Sequence, residues 1–589
     1  FFNRKYSVAS LRQGEEYVFF GRVERAQGGL TLLNPDFERA GAETLTGRLL
    51  PVYPLTAGLS RNMVLKNMAA ALPAARFSAD PLPGGLRAAR GLPAPADAYA
   101  MIHRPDCPED AETARAAFCY EELLLFCLRL GLVREKRKEE AGLPFRPVDA
   151  EKFYAALPFA PTGAQRRAIA DCLGDMSSGG RMCRLVQGDV GSGKTAVAAA
   201  LIWAACQNGC QSALMAPTEI LARQHFLSLS PLMEGLGLRC ALLTGRVAKK
   251  EREALLASLK AGEIDLLLGT HALLTGDVDF RKLGLVVLDE QHRFGVAQRM
   301  ELNRKGARPH TLVLSATPIP RTLALILYGE LELSVLDELP PGRQKVDTFL
   351  VGEEKRDGMY RFLRSIVKEG GRGYLVCPAI GGEEEDEESA MKEAVREAKR
   401  LQTEVFSDLR CALLHGKMRP ADKAAAMDAF ARGETDLLIS TTVIEVGVDV
   451  PEARFIVIEN ADRFGLSSLH QLRGRVGRGP GKSYCFLMGG RASPEAKERL
   501  RLLTRVSDGF KIAEADLKNR GPGDFFGTRQ HGLFSPVAAG LLTDPAFFSG
   551  VRSDADRLLA DDPALNRAEN APLRDALRER EEQAADMMN

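Results

Sequence analysis

The feature that most restricts how this chain can fold is the run from Cys183 to Cys206, where CRLVQ leads into GDVGSGKT and then into AVAAALIWAAC. An apolar strand, a glycine-rich turn and a helix in that order form a phosphate cradle. The glycines let the backbone curl until its N–H groups and the helix N-terminus face phosphate oxygens. Gly188, Gly191 and Gly193 are the turn residues; Lys194 would reach the β and γ phosphates, and Thr195 would offer its hydroxyl to Mg2+. The bland alternative is a chance glycine-rich turn, which the strand before it and the helix after it argue against. Such a unit needs a parallel sheet around it. Between about Glu151 and Lys345 the runs CRLVQ, SALMAP, DLLLGT, GLVVLDE and HTLVLSAT alternate with longer helical patterns. A second series follows in GYLVCPA, CALLHG, DLLIST, FIVIEN and SYCFLM, so two tandem α/β lobes are predicted, with the linker ELPPGRQ as a hinge between them.

The 589 residues leave room for further domains. Tyr17 to Leu33 alternates apolar and polar residues around a glycine turn, as strands of a small barrel do, and Leu50 to Phe145 turns helical with breaks around Pro81 to Gly91. A net charge of +1 supplies no global attraction to nucleic acid, so any such contact must be local. No apolar run is long enough to span a bilayer, and Ala196 to Cys206 reads as a buried helix. Eleven scattered cysteines show no zinc spacing and read as reduced thiols. The first residues lack a signal-peptide pattern, which predicts a cytoplasmic protein, and the start at Phe1 suggests that part of an N-terminal domain is missing. The acidic run Glu383 to Glu388 lacks a calcium-loop spacing and reads as a solvated loop.

A nucleotide site also needs an acid for the metal and a group that orients water. LGLVVLDEQH supplies both at a strand end: Asp289 would hold Mg2+, and Glu290 is the candidate general base. DEQH resembles a box of the superfamily 2 helicases, and the companion motifs follow in the expected order. In LPFAPTGAQRRAI, the resemblance implies that Gln165 reads the adenine edge and that Phe159 packs nearby, although Pro161 replaces an aliphatic residue. APTEILARQH, GTHALL and SATPIPRT resemble the DNA-contacting and coupling motifs, which makes Thr218, Thr270 and His271 backbone contacts and Ser315 to Thr317 coupling residues. STTVIEVGVDVP and QLRGRVGR resemble the last two motifs. There Asp449 and Gln471 would support the nucleotide. Arg475 and Arg478, three apart and so on one face if helical, would act as arginine fingers. Solvent exposure is the alternative for an arginine-rich helix.

The flanks narrow the resemblance to the RecG family of branch-migration helicases. DGFKIAEADLKNRGPGDFFGTRQHGL resembles that family's translocation motif, in which Arg499, Arg520 and Gln530 would link lobe movement to DNA movement; Asn519 stands where an apolar residue is usual. FFNRKY resembles the wedge barrel of the family, with Phe2 and Tyr6 as junction-stacking aromatics. The implied architecture is multidomain α/β: a partial OB-fold wedge (1–48), a helical connector (49–148), two RecA-like lobes (149–345 and 346–490), and a translocation motif with C-terminal helices (491–589). The resemblance implies ATP and Mg2+ as ligands, branched double-stranded DNA (forks and Holliday junctions) as substrate, a single-strand-binding protein as partner, monomeric action near the nucleoid, and no membrane. Two other readings are a transcription-repair coupling translocase, disfavoured by the wedge-like start, and a DNA-binding scaffold with a nucleotide switch, disfavoured by the full set of catalytic groups.

Overall fold

The computed structural model describes residues 11–26, 29–42, 46–139, 142–245, 247–289, 301–302, 305–316, 331–340, 344–377, 395–415, 418–441, 450–479, 481–489, 493–520 and 544–586. Phe2, Tyr6, Glu290, Thr317, Asp449 and Gln530 lie outside them, as do the acidic run and part of the predicted hinge. The chain divides into two compact units, one of residues 1–132 and 526–589 and the other of 133–525.

In the first unit, β1 (Tyr17–Ala26) and β2 (Gly29–Arg39) pair antiparallel from Tyr17 opposite Arg39 to Ala26 opposite Gly29. Tyr17, Phe19 and Phe37 cluster on one side, with Phe19 and Phe37 centroids 5.7 Å apart. The register shifts between Phe20 and Arg22, where a Cβ on Gly21 would lie 3.1 Å from the Pro35 backbone. The strands run to 10 and 11 residues, and this one ribbon is the sheet that the described residues of the first unit contain.

The predicted helical stretch holds α1 (Arg61–Ala71), α2 (Gly84–Ala89), α3 (Pro95–His103) and α4 (Pro108–Glu139). Near the C-terminus, α15 (Pro545–Asp561) buries Phe548, Val551, Ala555 and Leu559, a stripe at helical spacing, and α16 (Ala571–Asp586) follows. Gly131 permits a close approach, since a Cβ there would sit 2.2 Å from Leu559. Buried Asp554 accepts hydrogen bonds from Arg90 Nε (2.7 Å), Tyr120 and Arg557. Burial alone would push the Asp554 carboxyl up, but these donors hold it below the usual carboxylate range.

The second unit carries both lobes. The first has seven strands in the order β5-β6-β4-β7-β8-β3-β9: β3 (Cys183–Gly188), β4 (Gln211–Met215), β5 (Cys240–Leu243), β6 (Leu266–Gly269), β7 (Leu283–Asp289), β8 (His310–Ser315) and β9 (Glu332–Leu336). Its helices are α5 (Ala150–Tyr154), α6 (Gly163–Ser177), α7 (Lys194–Gln207), α8 (Glu219–Gly235) and α9 (Lys249–Ala261). As expected, α7 is buried from Ala196 to Ala205, and its alanines let it lie close against the sheet.

The second lobe has six strands, ordered β10-β15-β14-β11-β13-β12: β10 (Val346–Val351), β11 (Arg372–Val376), β12 (Cys411–Leu414), β13 (Leu437–Ser440), β14 (Ala453–Ile458) and β15 (Ser483–Met488). Its helices are α10 (Arg356–Lys368), α11 (Pro420–Arg432) and α12 (Leu466–Arg473); α13 (Pro494–Arg505) and α14 (Gly509–Arg520) follow as a helical pair packed on α12. Every described pairing within the two lobes is parallel. The carboxyl ends of the strands therefore share one edge in each lobe, where ligands of such sheets bind.

Candidate active site and nucleic-acid groove

The loop after β3 takes its shape from its glycines. Gly191 (φ 77°) and Gly193 (φ 81°) are left-handed, and a Cβ on Gly193 would come within 2.1 Å of Gln165 Nε2. A Cβ on Gly188 would likewise meet Ser192 Oγ at 2.4 Å. Lys194, the first residue of α7, is buried and its Nζ donates to Gly188 O (2.8 Å) and Asp189 O (2.9 Å). The Ser192 hydroxyl is buried with no partner among the described residues, so the loop keeps an unsatisfied polar group beside the helix N-terminus.

Gln165 belongs to a capping box that starts α6. Its Oε1 accepts from Thr162 N (2.9 Å), and its Nε2 donates to Ser192 O (2.9 Å). The side chain is fully buried, and its amide ties the start of α6 to the phosphate loop.

Over this loop lies a cleft of about 410 Å³, within the range of small-ligand sites. Its walls include Phe159, Gly191, Gly193, Lys194, Thr195 and Asp289 from the first lobe and Arg475 and Arg478 from the second. Six predicted nucleotide-site residues from the first lobe and two from the second are thus brought together.

The helical geometry expected for the arginines is corrected. Helix α12 ends at Arg473, so Arg475 and Arg478 lie beyond its last turn, with left-handed Gly477 (φ 83°) between them. This stretch packs tightly on the first lobe, since a Cβ on Gly474 would lie 2.9 Å from Val190. Gln471, half-buried on α12, is not among the cleft-lining residues.

Several side chains that sequence reasoning passed over organise the site. His225 on α8 donates from Nε2 to Asp289 Oδ2 at 2.7 Å, next to the buried end of β7. His470 donates from Nε2 to Asp189 Oδ1 at 2.6 Å across the lobes and accepts on Nδ1 from Arg473 Nη2 at 2.7 Å, which fixes its tautomer. Arg473 also reaches Leu503 O and Val506 O (both 2.9 Å) and Ser507 O (3.0 Å) at the end of α13. Burial pulls its guanidinium below the ordinary arginine value. At the other end of α12, Asp516 from α14 accepts from Leu466 N and Ser467 N (3.3 and 3.2 Å). A carboxylate at a helix N-terminus satisfies otherwise orphaned N–H groups. The α13–α14 pair thereby grips both ends of the helix that carries His470. His225 closes the quoted segment APTEILARQH, and His470 directly precedes QLRGRVGR, so both stood beside recognised motifs.

A second cavity, of about 730 Å³, lies between the lobes. Thr218, Thr270 and His271 line it from the first lobe, and Lys423, Met427 and Asp428 from α11 of the second. Thr218 caps α8 by accepting from Leu221 N (3.3 Å), and Thr270 Oγ1 is buried without a partner among the described residues. Ser315 is buried at the end of β8, beside Ala316 in the nucleotide cleft. Arg499 on α13 donates to Asp462 O at 2.6 Å, and Arg520 ends α14.

A parallel-sheet lobe with a phosphate loop, joined to a second lobe that offers arginines across one cleft, defines a P-loop motor of the superfamily 2 type. Comparison with known proteins agrees. Family models match residues 1–74 (RecG wedge domain), 162–326 (DEAD/DEAH box helicase), 362–480 (helicase conserved C-terminal domain) and 506–588 (ATP-dependent DNA helicase RecG, domain 3, C-terminal). The ATP-dependent DNA helicase RecG of Synechocystis sp. is 45% identical over 92% of this chain, which spans 66% of that relative. Its namesake in Thermotoga maritima is 43% identical over 95% of this chain and is spanned to 72%. A solved structure of RecG bound to a three-way DNA junction superposes with a TM-score of 0.70 at 41% identity, covering 89% of this chain and 70% of that one. The chain belongs to the RecG family of ATP-dependent DNA helicases.

Proposed function

We propose that this chain converts closure and opening of its two lobes around ATP into movement along duplex DNA, and so remodels branched DNA by fork regression and Holliday-junction branch migration. The observation that carries this reading is the shared cleft, where Lys194 and Asp289 face Arg475 and Arg478 from the opposite lobe. The site suits a nucleotide: left-handed glycines open the loop, the buried Ser192 hydroxyl is unsatisfied, and a hydroxyl with a carboxylate is the oxygen set that Mg2+ prefers. In this reading Lys194 and the loop amides hold the phosphates, Thr195 and Asp289 hold Mg2+, and Phe159 packs on the base. Glu290 orients the attacking water, Asp449 and Gln471 support the nucleotide, and the two arginines stabilise charge developing on the γ phosphate. ATP with its metal supplies the free energy of hydrolysis.

Lobe closure would be passed on through His470 and Arg473 to the α13–α14 pair, and from there to the translocation segment with Arg520 and Gln530. Thr218, Thr270 and His271 would hold a DNA backbone in the interlobe groove through phosphates, which makes tracking independent of sequence. Phe2 and Tyr6 would stack at the junction. We assign residues 1–48 to the wedge, 49–148 to the connector, 149–345 and 346–490 to the lobes and 491–589 to the translocation region. Monomeric action in the cytoplasm at the nucleoid, with a single-strand-binding protein as partner, completes the proposal on family resemblance.

Unwinding of a synthetic fork tests it. The unsubstituted chain should unwind the fork with ATP, Lys194→Ala should hydrolyse nothing, and Gln530→Ala should hydrolyse ATP without processing the fork. Normal fork processing by the Gln530 variant would reject the coupling role.

A further inference from the structure

Helix α8 separates the two cavities. Ile220, Arg223 and Leu227 line the interlobe groove, whereas His225, Ser228 and Leu232 line the nucleotide cleft. These are neighbouring stripes at helical spacing, and Gln224, on their shared edge, lines both. The partition is one helix thick. On the nucleotide side, His225 holds Asp289 by the 2.7 Å bond. On the shared edge, the Gln224 Oε1 is buried without a partner among the described residues. A buried acceptor left unsatisfied calls for a physical reason, and one reason is a donor that arrives with a ligand or a shift of the helix. The α8 N-terminus, capped by Thr218, opens on the groove.

We infer that Gln224 and His225 are positioning residues through which an occupant of the groove sets the orientation of the Asp289 carboxylate. The inference rests on the proposed passage of DNA through that groove. A duplex backbone pressing on the first turns of α8 moves a rigid rod, and the imidazole at its second turn moves with it. Partners of a metal-binding carboxylate tune its affinity through orientation. The coupling is reciprocal, so DNA and nucleotide change each other's affinity by the same factor.

The test measures binding, without turnover. A fluorescent non-hydrolysable ATP analogue is titrated with Mg2+ onto the full chain, with and without a synthetic three-way junction. In the unsubstituted chain the junction should tighten the analogue by about tenfold, within the usual span of coupling between sites. In Gln224→Ala and His225→Ala the shift should shrink to less than about twofold while both ligands still bind. His225→Gln, which keeps a donor for Asp289, should recover most of it, and also serves if the alanine variant fails to fold.

A full shift in either alanine variant, or a His225→Gln shift no larger than that of His225→Ala, overturns the inference. Arg223→Glu, on the groove side alone, separates the two levels. If it leaves junction binding unchanged, DNA does not pass through the groove, and the underlying reading fails. If it weakens junction binding while Gln224→Ala keeps the full shift, only the present inference falls.

Discussion

Read from opposite edges, the two lobes have the same strand order, with β9 added to the first: β5-β6-β4-β7-β8-β3 matches β12-β13-β11-β14-β15-β10. The equivalent positions carry opposite solutions. After β3, Lys194 opens α7 and turns to loop carbonyls, while Asp289 at the end of β7 faces the cleft. After β10, Arg356 opens α10, and Glu459 directly follows β14. There the arginine closes on the carboxylate in a two-pronged pair of 2.8 and 3.0 Å, with Glu353 and Tyr360 joining the network. In the first lobe the lysine bonds loop carbonyls and the carboxylate bonds His225 along the cleft, whereas in the second the arginine and the carboxylate bond each other directly. The same topology thus carries two different charge arrangements, set by a few residues at the strand ends. The second lobe contributes instead through the turn after α12, whose arginines line the cleft over the first lobe's phosphate loop.

The largest effects should come from breaking this asymmetry on the first-lobe side. Lys194→Ala should reduce ATP hydrolysis to background in a phosphate-release assay. Arg475→Ala or Arg478→Ala should lower kcat by about a thousandfold, the worth of an arginine finger, while analogue binding weakens far less. Equal losses in both quantities would place these arginines in ground-state binding.

On the second-lobe side the expected effect is on stability. Arg356→Met leaves Glu459 buried and unpaired, which should destabilise that lobe by about 3–5 kcal/mol in denaturant unfolding, with Glu459→Gln added to it recovering much of the loss. The smallest effect should be at Gly352, whose φ is −84° and where a Cβ would meet only the flexible end of Glu354. Gly352→Ala should change stability by no more than about 0.5 kcal/mol, the ordinary surface range. Gly193→Ala should disrupt the phosphate loop, because its left-handed φ and the Gln165 amide leave no room.

The central strands and the phosphate loop were legible because their signals are local: continuous apolar runs of the kind buried parallel strands show, and glycines spaced for one turn. Strands β9 and β10 were not, since Glu332 and Ser334 in the one and Asp347 and Thr348 in the other interrupt the apolar run. β5 was also passed over, although its CALL repeats the sequence of β12. The arginine geometry differs from the expected helix because α12 stops at Arg473, before both arginines. His470 pairs with Asp189, 281 residues away, and no sequence period reports such a contact. His225 and Asp516 are of the same kind: their partners are defined only once the lobes and the helical pair have packed.

The central claim is that one nucleotide site, shared by two unlike lobes, is driven by a DNA duplex. ATP turnover by the intact chain, measured with and without a synthetic three-way junction, addresses it most directly. The account predicts turnover at least severalfold faster with the junction, lost again in Arg478→Ala; identical turnover with and without DNA would contradict it.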